Sequence, residues 1–247
     1  MQYSKKIVSL VISAFLLSGC VMSTPKSSDE VVSQEDILLK TKNYNGLINL
    51  YRNWMKVNDN YDTRLKLSNY YYLAGDYKSS LYYLQALNAK PDMKVYMLQA
   101  KNMIALGDYG PAVRVTDKML QNTPQSAEAY NLRGVALALS GKLNEGQQAI
   151  DKSRALFIED DVALNNLAMI AMMDGRYQDS VGLLLPQYLR GRKAEKMLRN
   201  LVVSLVKVGD RRYARTIIEN ENLSRNPDEL IDALAGITLS KGGVNAS

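Results

Sequence analysis

The side chains that do most enzymatic chemistry are scarce in this chain. Its 247 residues include no histidine and one cysteine, Cys20. Without imidazole there is no Ser–His or Cys–His nucleophile pair and no histidine metal ligand. One thiol cannot form an intramolecular disulfide, so the fold stands on packing. Two adjacent carboxylate pairs occur, Asp160-Asp161 and Asp228-Glu229. Each opens an apolar helical pattern, where acidic groups meet the orphan amides and the positive end of the helix dipole. That placement points to capping rather than to acid–base work. No Gly-rich stretch has the spacing of a phosphate cradle. What remains is recognition by amides, thioethers and cations. Asparagines stand at Asn131, Asn165, Asn166 and Asn200, and methionines at Met97, Met169 and Met172. Amides offer both a donor and an acceptor, and methionines give an adaptable apolar surface. Two basic groups, Arg190, Arg192 and Lys193 and then Arg211, Arg212 and Arg215, are the other concentration of chemistry. Basic residues near helix ends serve the C-terminal dipole, and such a cluster can also dock an acidic partner or phospholipid headgroups. The chain reads as a non-enzymatic binding protein with no cofactor and no small-molecule substrate.

The elements that must position these residues are marked by glycines. Gly75, Gly107, Gly141, Gly175 and Gly209 are separated by 32, 34, 34 and 34 residues, and a small residue follows each by five: Ser80, Ala112, Gly146, Ser180 and Ala214. The spacing predicts a helix, a tight turn and a second helix in each unit. Five units run over 61–92, 93–126, 127–160, 161–194 and 195–228. In their first helices one packing position holds Leu67, Gln99, Arg133, Leu167 and Leu201, and the next holds Ser68, Ala100, Gly134, Ala168 and Val202. Small residues at a crossing let paired helices approach closely. Four residues past the small residue of the second helix sit Leu84, Thr116, Ile150, Leu184 and Ile218, one helical turn along the same face. Residues 42–55 supply the second helix of a degenerate first pair, and 228–239 a final amphipathic helix. Prolines fall at borders, except Pro186, which should end or kink the second helix of the fourth unit.

A period near 34 with a helix–turn–helix in each unit resembles the tetratricopeptide repeat. The resemblance implies an all-α right-handed superhelix of about five to six units, whose first helices line a concave surface. Residues expected on that surface are Asn69, Tyr72, Met97, Lys101, Ile104, Asn131, Val135, Asn165, Asn166, Met169, Met172, Arg199, Asn200 and Val203. Together they suit an extended segment or helix of a partner protein. They do not match the basic carboxylate clamp of chaperone-binding members of that superfamily.

The N-terminus carries an address. Lys5 and Lys6 precede an apolar run over residues 7–17, too short to span a bilayer and suited to a signal peptide. The run ends in Leu17-Ser18-Gly19-Cys20, which resembles a bacterial lipobox. The resemblance implies cleavage before Cys20 and acylation of that residue. Each buried methylene adds about 0.8 kcal/mol and stable anchoring takes about two chains, so three acyl chains hold a protein on a membrane. Val21, in place of an inner-membrane retention Asp, favours the outer membrane by analogy. The expected organisation is a signal peptide at 1–19, a lipidated tether at 20–32 and a repeat solenoid at 33–247, placed on the periplasmic face of the outer membrane. Without Lys5 and Lys6 the balance is 29 basic to 25 acidic residues, with no run of five like charges, so no nucleic-acid arm is indicated.

Signal, lipobox, tether and repeats together resemble the outer-membrane assembly lipoproteins of bacterial pilus and secretion systems. A series of landmarks narrows this: Asn165-Asn166-Leu167-Ala168, Gly175-Arg176-Tyr177, Leu183-Leu184-Leu185-Pro186, Asn200-Leu201 ahead of Gly209-Asp210, and Glu221-Asn222-Leu223-Ser224. In that order they are similar to the tight-adherence (Flp-type) pilus assembly lipoprotein family, the TadD-like proteins. The resemblance implies a pilotin-like scaffold that binds a secretin or another apparatus subunit. Other readings are a pilotin of another type IV pilus or type II secretion system, an adaptor for outer-membrane protein assembly, or a scaffold for peptidoglycan hydrolases.

Overall fold

The chain turns back on itself wherever one of the spaced glycines occurs. Gly75, Gly107, Gly141, Gly175 and Gly209 all have φ between 76° and 90°, the left-handed region that a side chain resists. In the first pair the equivalent place is taken by Lys42 at φ 52°, without glycine's freedom. The computed structural model describes residues 27–237. Its first helix pair is α1 (Ser28–Lys40) and α2 (Tyr44–Met55). The five units follow as α3 (Tyr61–Leu73) with α4 (Tyr77–Leu84), α5 (Met93–Leu106) with α6 (Tyr109–Asn122), α7 (Ala127–Leu139) with α8 (Leu143–Ala155), α9 (Asp160–Met173) with α10 (Tyr177–Leu189), and α11 (Glu195–Lys207) with α12 (Arg211–Asn220). A last helix, α13 (Pro227–Gly236), closes the row. The architecture is the expected all-α helical repeat solenoid.

Polar residues set the helix starts. Asn60, Asp92 and Ser126 accept backbone N–H bonds from Thr63, Val95 and Ala129, capping three of the first helices. The helix crossings are made by the small residues. Ser68, Ala100, Ala168 and Val202 are buried, as are Ser80, Ala112, Ser180 and Ala214 opposite them. The closest crossing is α7 on α8. A Cβ on Gly146 would lie 2.8 Å from the carbonyl oxygen of Gly134, and one on Gly134 would lie 2.5 Å from Ile150 Cδ1. Leu84, Thr116, Ile150, Leu184 and Ile218 are all fully buried one turn further along. Apolar area removed from water at about 25 cal/mol per Å² holds the row together, unit on unit.

Successive units also touch through their first helices, α3 on α5, α5 on α7, α7 on α9 and α9 on α11, and no comparable contact runs along the second helices. Each second helix packs on the next unit's first helix, and the added contact between first helices draws that side together, curving the row with the first helices on the inner face. The two ends are sealed differently. At the C-terminal end Ile231 of α13 is buried against α11 and α12, and Lys207 Nζ donates to the carbonyls of Ala235 and Ile237. At the N-terminal end a charged group is buried. Glu35 of α1, 5% exposed, accepts from Tyr51 of α2 at 2.7 Å, from Lys66 of α3 at 2.8 Å and from Tyr70 of α3. Burial pushes the Glu35 carboxyl up, but the bonds from Lys66, Tyr70 and Tyr51 outweigh it and hold the group below its usual value. The same burial, with the Glu35 bond, raises the Tyr51 hydroxyl to about 12.

Two expectations are corrected. The tether expected at 20–32 overlaps α1, which begins at Ser28. Ser27 and Glu30 form a reciprocal capping box, two bonds that nucleate the helix five residues before Ser33. Of the end or kink expected at Pro186, the end is excluded, since α10 runs three residues further to Leu189. The carbonyl left without a donor is that of Gly182, an exposed residue whose missing side chain leaves room for water. The signal peptide expected at 1–19, Cys20 and the start of the expected tether up to residue 26, and residues 238–247, lie outside the described residues. Among those described, no helix is long and apolar enough to cross a membrane.

Candidate functional site

The four asparagines of the inner face are brought together, chiefly with one another. Asn166 Nδ2 of α9 donates to Asn131 Oδ1 of α7 at 2.7 Å. One unit on, Asn200 Nδ2 of α11 donates to Asn165 Oδ1 of α9 at 3.0 Å. Both pairs join residues 35 apart, one more than the repeat, because the fifth residue of a unit, counted from 127 or 161, meets the sixth of the next. Each bond uses half of each carboxamide. The amino groups of Asn131 and Asn165 keep donor capacity, and the Oδ1 atoms of Asn166 and Asn200 keep acceptor capacity, without a further partner among the described residues. All four are half-buried, so these edges face the groove. Beside them Val135, Met169 and Val203, at 34-residue spacing, are also half-buried. The last three units thus present two amide rungs along an apolar stripe.

The other expected groove residues behave differently. Met97 is half-buried and packs in one cluster with Leu132, and Tyr72 in another with Leu65 and Leu98. Burial, and then Tyr77 beside it, raises the Tyr72 hydroxyl. Asn69 is exposed, Lys101 is half-buried and outside any ion pair among the described residues, and Arg199 is exposed and paired with Glu195 at 2.5 Å. Met172 is corrected: it is 8% exposed and belongs to the core, on the side of α9 turned inward. It is not available as groove floor.

The basic patch is largely neutralised within the chain. Arg192 pairs with Asp161 at 3.4 Å, Lys193 with Glu221 at 2.7 Å, Arg211 with Asp232, and Arg215 with Asp228. Arg190 and Arg212 alone of the six stand outside an ion pair among the described residues. The structure therefore assembles these cations into joints between α9, α12, α13 and the turns, not into one free cationic face. The carboxylate pairs are spent in the same joints. Asp160 binds Arg154 at 2.9 Å, Asp161 binds Arg192, Asp228 binds Arg215, and Glu229 accepts from Asn226 at 3.0 Å. Among the described residues no three His, Cys, Asp or Glu side chains converge as a metal site.

Comparison by sequence finds no matching family profile and no matching curated protein. Comparison by structure finds helical repeat proteins. A thermophilic tetratricopeptide-repeat protein of Thermus thermophilus superposes with a TM-score of 0.64 at 16% identity, over 73% of this chain and 100% of that one. A tetratricopeptide repeat protein from Parabacteroides merdae gives 0.61 at 16% identity, over 84% of both chains. A chain of the Cut9–Hcn1 hetero-tetramer of the APC/C gives 0.59 at 16% identity, over 80% of this chain and 38% of that one. At these identities the likeness is one of fold: the repeats have the tetratricopeptide architecture.

Proposed function

We propose that this chain is a protein-binding scaffold that holds an extended segment of a partner along the inner face of its last three units. The observation that carries the reading is the pair of half-used amide rungs, Asn131–Asn166 and Asn165–Asn200, beside Val135, Met169 and Val203. Neighbouring helix axes lie roughly 8–10 Å apart, and an extended chain advances about 3.3–3.6 Å per residue. One rung therefore meets about every third residue of the partner, offering an acceptor to its N–H and a donor to its carbonyl. The apolar stripe takes side chains on the same period. Such a grip needs no turnover.

The finer reading rests on the sequence landmarks. In it the scaffold is an outer-membrane lipoprotein of a tight-adherence pilus system, anchored through Cys20, with a secretin or another apparatus subunit in its groove. Anchor and groove then act as two linked binding modules that raise effective concentration. Crosslinking and pull-down of the full chain from native membranes tests both levels. The expected result is a co-purified secretin or pilus subunit, lost in Asn165→Ala with Asn166→Ala, and membrane attachment lost in Cys20→Ala. A partner retained by the double asparagine variant overturns the groove reading; cell-wall hydrolases or insertion machinery in its place overturn the pilus reading.

A further inference from the structure

Two features of this chain lie outside the inner groove and are complementary to each other. The first is a crevice on the outer side of the row, between α4, α5 and α6. The first unit is two residues short: Gly75 and Gly107 are 32 apart where the other turn glycines are 34 apart. The shortfall falls on its second helix. α4 has 8 residues and gives way to a 3₁₀ turn, Gln85–Leu87, whereas α6 has 14 and α8 has 13. The missing turn leaves a cavity of about 510 Å³ with a floor of Leu81, Pro91, Tyr96, Met103 and Val115. Gln99, nine-tenths buried where three other units have leucine, lines it and donates to Asn88 Oδ1. Lys118 lines its rim, exposed and outside any ion pair among the described residues, and is the one charged group of the lining. At the next joint the positions of Gln85 and Gln99 are held by Asp117 and Arg133, which form an ion pair.

The second feature is Phe157, at the turn between α8 and α9. It is 92% exposed, the most exposed large hydrophobic residue described. Its φ is 67°, a left-handed conformation that a bulky residue resists. One repeat later the same place holds Gly191, at φ 83°. An aromatic ring held in solvent on a backbone suited to glycine is maintained against both hydrophobicity and strain, and local strain of this kind clusters at functional positions. Glu159 follows two residues on, exposed and outside any ion pair among the described residues.

We infer that Phe157 of one copy of this chain seats in the α4–α6 crevice of a second copy, with Glu159 against Lys118. A Phe side chain has about 150–250 Å² to bury, and the crevice offers it the apolar Leu81, Pro91, Tyr96, Met103 and Val115. The charges are complementary, and the two features lie on different units of one row, so the contact joins separate molecules. Crevice and plug are different surfaces, so the contact is made either once per pair, head-to-tail in a ring or open string, or twice about a two-fold axis in a reciprocal dimer. The contact is smaller than the roughly 1,200–2,000 Å² of a stable complex, so it forms at high local concentration, which confinement to a surface supplies.

Sedimentation equilibrium of the full chain, from micromolar to near-millimolar, tests this. The wild-type chain is expected to associate with concentration. Phe157→Gly should be monomeric while melting no lower than wild type, because glycine suits that backbone, which separates lost contact from lost fold. Lys118→Glu and Glu159→Lys, both at exposed positions, should each weaken association about tenfold, and the two together should restore it. Asn165→Ala with Asn166→Ala should leave it unchanged, so failure here and failure of the groove reading are distinguishable. A wild-type chain that stays monomeric throughout, undiminished association of Phe157→Gly, or no rescue by the charge swap overturns the inference.

Discussion

The joints between first helices use the same two positions along the whole row, but not the same chemistry. Leu65 and Leu98 belong to one apolar cluster, and Met97 and Leu132 to the next. Then Asn131 meets Asn166 and Asn165 meets Asn200. An apolar joint removes area from water and presents nothing further. A carboxamide joint is worth only about 0.5–1.5 kcal/mol net, and leaves polar edges that need water or another molecule to complete them. The two halves of the protein therefore use their side chains to different ends. The N-terminal half, with its buried Glu35 and apolar joints, is built to hold itself. The C-terminal half gives up some of that cohesion to keep hydrogen-bonding capacity at the surface.

The largest effect on this division is expected where the halves are joined. Gly146→Ala places a methyl 2.8 Å from the Gly134 carbonyl oxygen and 2.9 Å from Ala138 Cβ. It should cost about 3 kcal/mol, read as a lowered midpoint in urea unfolding. Next is Glu35→Ala, which strands Lys66, Tyr51 and Tyr70. We expect a loss of about 2 kcal/mol, discounted because Lys66 is half-exposed, and confined to the N-terminal end. Hydrogen exchange should then quicken in α1 and α2 and stay slow in α9 and α11. The same network gives a pH dependence. Because the Glu35 carboxyl lies below its usual value in the folded chain, its contribution is complete above that value of 4.5. It is lost as pH falls through the depressed folded value. Protection of α1 should fall away under acid in the wild type and be flat with pH in Glu35→Gln.

Smaller in stability but sharper in meaning is the conversion of a rung. Asn166→Leu alone strands Asn131 and should cost about 1 kcal/mol; Asn131→Leu with Asn166→Leu, copying the apolar joints upstream, should be near neutral. Partner binding should be lost in both, so a stable double variant that still binds would erase the distinction between the halves. Smallest is Lys42→Gly, which relieves a left-handed lysine and should stabilise the N-terminal pair by about 0.5 kcal/mol, seen in its melting temperature.

The repeat was legible in sequence because its period is fixed by backbone needs: a left-handed turn residue, then a small residue where helices cross. Those requirements admit few residue types, so they survive at Gly75, Gly107, Gly141, Gly175 and Gly209. The inner-face asparagines were legible as a ridge. Their pairing was not, because it runs at 35 residues and depends on how one helix is offset against the next. Met172 looks from spacing like a groove residue, yet spacing alone does not say how far each helix rotates into the core. Glu35 lies in the polar stretch Ser33-Gln34-Glu35-Asp36, and only Tyr51, Lys66 and Tyr70, 16 to 35 residues away, make its burial possible. Pro186 shows the converse: a strong local signal is overridden when one lost bond falls near a helix end in solvent.

The fourth unit has a property that its neighbours lack. Within residues 161–194, Asn166 reaches back to the preceding unit and Asn165 reaches forward to the following one. A unit carrying both halves of the bond is compatible with a copy of itself. Duplication of that segment by unequal recombination would create a new Asn165–Asn166 rung at the seam and lengthen the groove by about three partner residues. In the proposed scaffold reading, the length of segment held would then change in whole steps, by copying one stretch of gene and with no new kind of contact.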